Sequence, residues 1–151
     1  MAEKATTEKP KKEDKPKYEK PLPEFRPETQ PYWDACKKHE LVLPKCKDCG
    51  QFFFYPRALC PNCMSQNLDW VKVSGRAKVW TFAIHHMGPT SAYKGEPPYV
   101  VATVETQEGP KMMTNIVECK PEDVRIGMEV EVVFDDVTSE VTLPKFKPVK
   151  Q

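Results

Sequence analysis

The chain has 151 residues, 39% of them hydrophobic and 30% charged, with a formal net charge of +1. That length holds one ordinary domain or two small ones and excludes an eight-stranded α/β barrel, which needs about 250 residues. No run of 18 apolar residues occurs to span a bilayer, and the start, MAEKATTEKPKKEDKPKYEK, lacks the apolar stretch of a secretory signal.

Residues 1–28 read as a Lys/Pro-rich arm. Its first 20 positions hold seven lysines, five acids and a single aromatic, Tyr18. Such a segment buries too little apolar surface to offset its ordering entropy, and its prolines keep it extended. It is either a solubilising tail or an arm that orders along a partner. A short helix follows over 29–40, with Thr29 as N-cap and Pro31 in the first turn. Helical spacing puts Tyr32, Trp33 and Cys36 on one face. About ten residues are too few for a helix to stand alone in water, so that face docks on this chain's own core or on a partner. Tyr32 and Trp33 are the candidate partner contacts.

Residues 41–70 carry the strongest chemical signal, Cys46-Lys-Asp-Cys49-Gly50 and Cys60-Pro-Asn-Cys63. Two residues between cysteines let one tight knuckle aim both sulfurs at a point, and two knuckles complete the tetrahedron that Zn²⁺ prefers. Gly50 suits the positive φ of such a turn; Met64 stands at the equivalent place in the second knuckle. Six cysteines in a chain without an export signal point to a cytoplasmic protein with reduced thiols, where paired cysteines bind metal more often than they form disulfides. Four thiolates leave no open coordination position, so Cys46, Cys49, Cys60 and Cys63 are expected to hold one structural zinc. Four thiolates and one Zn²⁺ together contribute −2, which takes the chain from +1 to −1. Leaving out residues 1–20 brings the remainder to about −3. A net-negative body is a poor phosphate binder unless its lysines cluster.

Residues 71–151 read as short strands broken by turns: Val71–Val73, Lys78–Ile84, Tyr99–Thr106, Met112–Val117, Met128–Phe134 and Val141–Phe146. Gln107-Glu108-Gly109-Pro110 marks a hairpin, and Pro144 gives the last strand an edge character. About five strands without a long helix match a small Greek-key barrel such as the OB-fold. Trp80 and Phe82, two apart, share a strand face that is either barrel core or a base-stacking platform. His85, His86 and Cys119 are the possible catalytic groups; Cys36 and Cys119 read by default as buried, inert thiols. The loop from His86 to Pro98 is long enough to form a contact surface. Lys45, Lys47, Arg57 and Arg76 flank the ribbon and its junction with the barrel, where they could meet the phosphates of a nucleotide-like ligand.

Taken together, Tyr32-Trp33, Leu41-Val-Leu-Pro-Lys-Cys46, Cys49-Gly50, Pro56-Arg57 and Cys60-Pro-Asn-Cys63 resemble the acyl-CoA-associated zinc-ribbon/OB-fold proteins. Val73-Ser-Gly75-Arg76, Pro97-Pro98-Tyr99-Val100-Val101-Ala102, Gly109-Pro110, Thr114-Asn115-Ile116-Val117, Ile126-Gly127-Met128 and Leu143-Pro144-Lys145-Phe146 extend the likeness to residues 25–150. The resemblance implies a mainly β protein: a rubredoxin-like zinc ribbon beside an OB-fold barrel. It further implies association with a thiolase-like catalytic subunit, help in accommodating coenzyme A or acyl-CoA, and no catalytic residues in this chain. Two rival functions remain at this stage. One is a single-stranded nucleic-acid-binding module; the other is an autonomous hydrolase or transferase using His85, His86 or Cys119.

Overall fold

Two sheets organise residues 18–149, the part of the chain that the computed structural model describes. Most of the expected arm, residues 1–17, lies outside the described residues. The part that is described runs along this chain's own barrel: Lys20 pairs with Glu96 and sits 4.9 Å over the Tyr93 ring, and Phe25 meets Trp33 at 5.5 Å.

Helix α1 spans Gln30–Lys37 and is shorter than the 29–40 expected. Thr29 is not a side-chain cap. Its hydroxyl accepts from the Arg26 N–H and donates to the Arg26 carbonyl, so it closes the turn that leads in. The helix stops because His39 adopts φ +57°, with His39 N–H donating to Cys36 O and Glu40 N–H to Ala35 O. That pair of bonds is a Schellman stop, with histidine at the place usually held by glycine. Tyr32, Ala35 and Cys36 are buried, Tyr32 and Cys36 in the main core, so the helix docks on its own protein.

Strands β1 (Val42–Cys46) and β2 (Leu68–Lys72) form an antiparallel ribbon, Leu43 opposite Val71 and Cys46 opposite Leu68. Val73, Ser74 and Gly75 then lead into the barrel strands β3 (Arg76–His85), β4 (Tyr99–Thr106), β5 (Lys111–Ile116), β6 (Glu129–Asp136) and β7 (Thr142–Pro148). Their order is β3-β4-β5-β7-β6, closed, as the OB reading anticipates. Closure between β5 and β7 is parallel and narrow, with Ile116 opposite Phe146, whose ring is fully buried. The edge character expected of the last strand is not found, because β7 lies between β5 and β6 in the closed barrel; Pro144 is accommodated there opposite Phe134 of β6, at a position with no β5 partner.

The expectation that Trp80 and Phe82 share a face fails. A bulge shifts the β3–β4 register between Val79 and Thr81, and the extra residue is Trp80. Before it Ala77 and Val79 point inward; after it the phase flips, so Phe82 and Ile84 pack on the core while Trp80 is 52% exposed. Lys111 Nζ sits 3.6 Å above its ring.

Two apolar clusters result. The larger runs from Tyr32, Leu41 and Leu43 through the barrel interior to Phe146, and so joins helix, ribbon base and barrel. The smaller consists of Cys46, Phe53 and Cys60, with Cys49 and Leu68 against them.

Candidate metal centre and junction groove

Each knuckle builds the same backbone loop from its own residues. In the first, Gly50 N–H donates to Cys46 O and Cys46 N–H to Gln51 O; in the second, Met64 N–H donates to Cys60 O and Cys60 N–H to Ser65 O. Each bond is 2.9 Å long, and Gly50 and Met64 both lie at positive φ. Met64 therefore does with a side chain what Gly50 does without one. The loops bring four sulfurs together from positions 14 residues apart in sequence.

All four sulfurs lie within 4.8 Å of one another, with Cys46–Cys63 at 3.5 Å and Cys49–Cys60 at 3.6 Å. Zn–S bonds of ~2.3 Å put tetrahedral sulfurs ~3.8 Å apart, so the donor set fits Zn²⁺ in both size and softness. Two of the thiols are pushed in opposite directions. Cys49 is lowered to about 6, first by the Gln51 backbone N–H and then by the Asn62 side chain. Cys63 is raised to about 12: the Ser65 backbone N–H works against the rise, but hydrogen bonding to Cys46, desolvation and the other two sulfurs prevail. Full ionisation of the set thus calls for a cation among the sulfurs. All four positions of a tetrahedral ion are taken by thiolate, which makes the fit one to a structural zinc rather than to a catalytic one.

A groove of about 320 Å³ opens where α1, the ribbon and the barrel meet. Trp33 walls it from the helix, Tyr55 from the ribbon, and Met113, Leu143, Pro144 and Lys145 from the barrel. It exists because β5 and β7 part company beyond Ile116 and Phe146. Lys145 is the cation of this wall, held 2.5 Å from Asp135 on β6. On the opposite side of the junction the Ser74 N–H donates to Glu108 Oε1 at 2.9 Å, which ties the β4–β5 turn to the connection between ribbon and barrel.

The residues singled out from sequence are only partly brought together. The four cysteines converge. Trp33 reaches the groove wall, while Tyr32 is 4% exposed and packs mainly inside, against Trp33 at 5.2 Å and Phe54 at 5.7 Å. The four basic residues do not share one site. Lys45 lies 5.1 Å over the Phe52 ring, Lys47 pairs with Asp69 at 3.7 Å, Arg57 lines a cavity with Glu28 and Trp70, and Arg76 lines another with Glu105 and Glu129. His85 stacks on Tyr99 at 5.2 Å, and His86 is exposed. Burial raises the thiols of Cys36 and Cys119, the opposite of what a nucleophile needs. Sequence reasoning missed Tyr55, Met113, Leu143 and Lys145. Of the Leu143-Pro144-Lys145-Phe146 run only Phe146 belongs to the core, and no signal local to the sequence marked the other residues as a groove wall.

Residues 33–69 match the model of a ChsH2 rubredoxin-like zinc ribbon domain, and residues 70–135 that of a ChsH2 C-terminal OB-fold domain. The chain is 37% identical over 121 residues to a DUF35 domain-containing scaffold protein of Methanocaldococcus jannaschii, covering 76% of this chain and 85% of that one. A probable enoyl-CoA hydratase alpha subunit of Thermomonospora curvata is 35% identical over 136 residues; 90% of this chain matches 42% of that longer protein. Among solved structures, a chain of the Ltp2-ChsH2(DUF35) aldolase superposes with a TM-score of 0.76 at 33% identity, over 84% of this chain and 98% of that one. The benzoylsuccinyl-CoA thiolase subunit BbsA of Geobacter metallireducens stands further off, at 29% identity over 62% of this chain and 60% of its own.

Proposed function

Since the chain belongs to the ChsH2 (DUF35) family of zinc ribbons joined to an OB-fold, we propose that it is a non-catalytic accessory subunit of an acyl-CoA thiolase-type complex. The observation that carries this reading is the junction groove. Helix, zinc-braced ribbon and barrel each supply a wall, so a partner segment or an acyl thioester lying there would touch all three at once. The apolar side chains Trp33, Tyr55, Met113, Leu143 and Pro144 would exclude water from a thioester, and the Lys145 ammonium offers one fixed charge. Zinc serves by holding the ribbon wall in place. Proteins similar to this chain are named as scaffolds and as subunits of acyl-CoA hydratase, aldolase and thiolase enzymes, and this supports the same role.

At its narrowest the sequence resembles the small subunit of the 2-benzoylsuccinyl-CoA thiolase of anaerobic toluene degradation. Similarity to the scaffold proteins is greater than to BbsA, so the proposal is cast for a thiolase-like or aldolase-like partner in the cytoplasm. Nucleic-acid binding draws less support: Phe82 turns into the core, and the exposed indole on that strand, Trp80, already carries Lys111. Coenzyme A contact is proposed for Arg57 and Arg76, exposed cations on the ribbon and at the junction that form no ion pair among the described residues.

Co-expression with a thiolase-like catalytic subunit from the same genome tests the proposal. One co-eluting complex with stoichiometric zinc is the expected result. Two separate peaks at micromolar concentration, or thioester turnover by this chain alone, would overturn it.

A further inference from the structure

The backbone bonds that shape the two knuckles stay within each knuckle, so something else must hold one knuckle against the other. Three side chains do so, together with one backbone bond from Lys47. Asp48, between the two cysteines of the first knuckle, accepts at Oδ2 from the Ser65 hydroxyl and at Oδ1 from Asn67 Nδ2, the latter at 2.9 Å. Ser65 and Asn67 follow directly on the second knuckle. The Asn67 N–H donates to Ser65 Oγ at 2.9 Å, and Lys47 N–H donates to Asn67 O at 2.8 Å. Both oxygens of Asp48 are thus engaged by the exit of the other knuckle, and neither faces the metal position as a ligand.

We propose that Asp48, Ser65 and Asn67 form a latch that clamps the second knuckle onto the first and sets how slowly the metal leaves. For zinc to escape, one knuckle must swing away from the other. Cys46 and Cys60 are fully buried, whereas Cys63 is exposed, so opening starts at Cys63, two residues before Ser65. Swinging Cys63 outward drags Ser65 and Asn67 off the carboxylate and breaks two charge-assisted hydrogen bonds at the same time. These are positioning residues: they act through the thiolates and touch no metal.

Electrostatics alone makes the contrary claim. A carboxylate beside a four-thiolate zinc site of charge −2 repels it, so removing the charge should tighten the metal. As a latch, Asp48 is needed for its two acceptor oxygens. Asp48→Asn separates the two accounts, because the amide removes the charge and also one acceptor. The inference goes beyond the accessory-subunit reading and holds whichever partner the chain serves.

The test is zinc transfer from the full chain to excess 4-(2-pyridylazo)resorcinol, followed by absorbance. Asp48→Ala and Asn67→Ala are expected to release zinc roughly 10-fold faster or more, in the range seen when groups supporting metal ligands are removed. Asp48→Asn is expected to be faster than wild type, and Asp69→Asn, which removes only the Lys47 ion pair, to stay within about two-fold. The thermal midpoint of the barrel serves as a second readout and should not move, since the latch touches no barrel residue. Ser65→Ala, which keeps the carboxylate, stands in if Asp48→Ala does not fold. Release within two-fold of wild type in both alanine variants, or slower release in Asp48→Asn, would overturn the proposal.

Discussion

Gly50 and Met64 stand at the same place in the two knuckles and share a left-handed backbone, at φ +73° and +61°. For an L-residue other than glycine that conformation costs roughly 1–2 kcal/mol, because Cβ crowds the following carbonyl. The strain is therefore carried by one knuckle only. Met64 is 66% exposed, so its side chain contributes little packing in return. Met64→Gly is expected to stabilise the zinc-loaded chain by about 1 kcal/mol. Gly50→Ala, whose added Cβ would meet nothing within 4 Å, is expected to destabilise it by a similar amount through the backbone alone. Urea unfolding of both variants at fixed zinc concentration checks the opposite signs.

Removing the metal should separate the two clusters. The small one around Cys46, Phe53 and Cys60 contains only ribbon residues and has little to hold it once the sulfurs repel. Leu41 and Leu43, at the ribbon base, belong to the larger core and stay anchored. In an ¹H–¹⁵N spectrum, EDTA treatment is expected to collapse the amides of residues 46–68 while those of the barrel strands persist. Elemental analysis before treatment should give one zinc per chain. Barrel resonances lost together with the metal would contradict this division.

Trp80 and Phe82 give the next prediction and also show what the sequence could convey. Trp80→Ala should cost under 1 kcal/mol, the loss of an exposed ring with one ammonium over it. Phe82→Ala should cost about 2 kcal/mol, because that ring packs on the core. Denaturant midpoints of the two variants decide the order, which a shared face would have made equal.

The cysteine spacing, the strand alternation of Tyr99–Thr106 and the Gly109-Pro110 turn were legible in the chain because each depends on neighbours within a few residues. The bulge at Trp80 was not, since Val79 and Thr81 shift register only by reference to Val104 and Thr103 on the next strand. The groove was hidden for the same reason. It depends on where β7 stops meeting β5, and nothing local to Lys145 records that.

Gly75 joins ribbon to barrel at φ +73°, and a Cβ built there would stand 2.6 Å from Val132 Cγ1. The Val132 N–H donates to Gly75 O at 2.8 Å, so the two backbones cannot separate without losing that bond. Gly75→Ala carries both the conformational cost and the clash and is expected to destabilise the chain by about 2–4 kcal/mol. Combining it with Val132→Ala relieves the clash but not the φ cost, so the double variant should be more stable than the sum of the singles by at least about 1 kcal/mol. A double-mutant cycle in urea measures that coupling; strict additivity would show that the contact does not matter.

Cys36 shows how the helix is held. Burial pushes its thiol up to about 12, partly opposed by a hydrogen bond with Tyr32, whose own hydroxyl is raised well above its usual range by the same burial. In the unfolded chain the thiol ionises near 8.5. Between that value and about 12 the folded state holds the proton that the unfolded state has lost, so this group makes stability fall as pH rises. At pH 8 its thiolate fraction should be on the order of one in ten thousand. Iodoacetamide with the zinc-loaded chain is therefore expected to leave Cys36 unlabelled over hours and to modify Cys119 slowly, since that thiol is raised too but only half-buried. Peptide mass spectrometry resolves the two sites. Rapid alkylation of Cys36 at pH 8 would mean that α1 leaves its seat on the core, and with it the Trp33 wall of the groove.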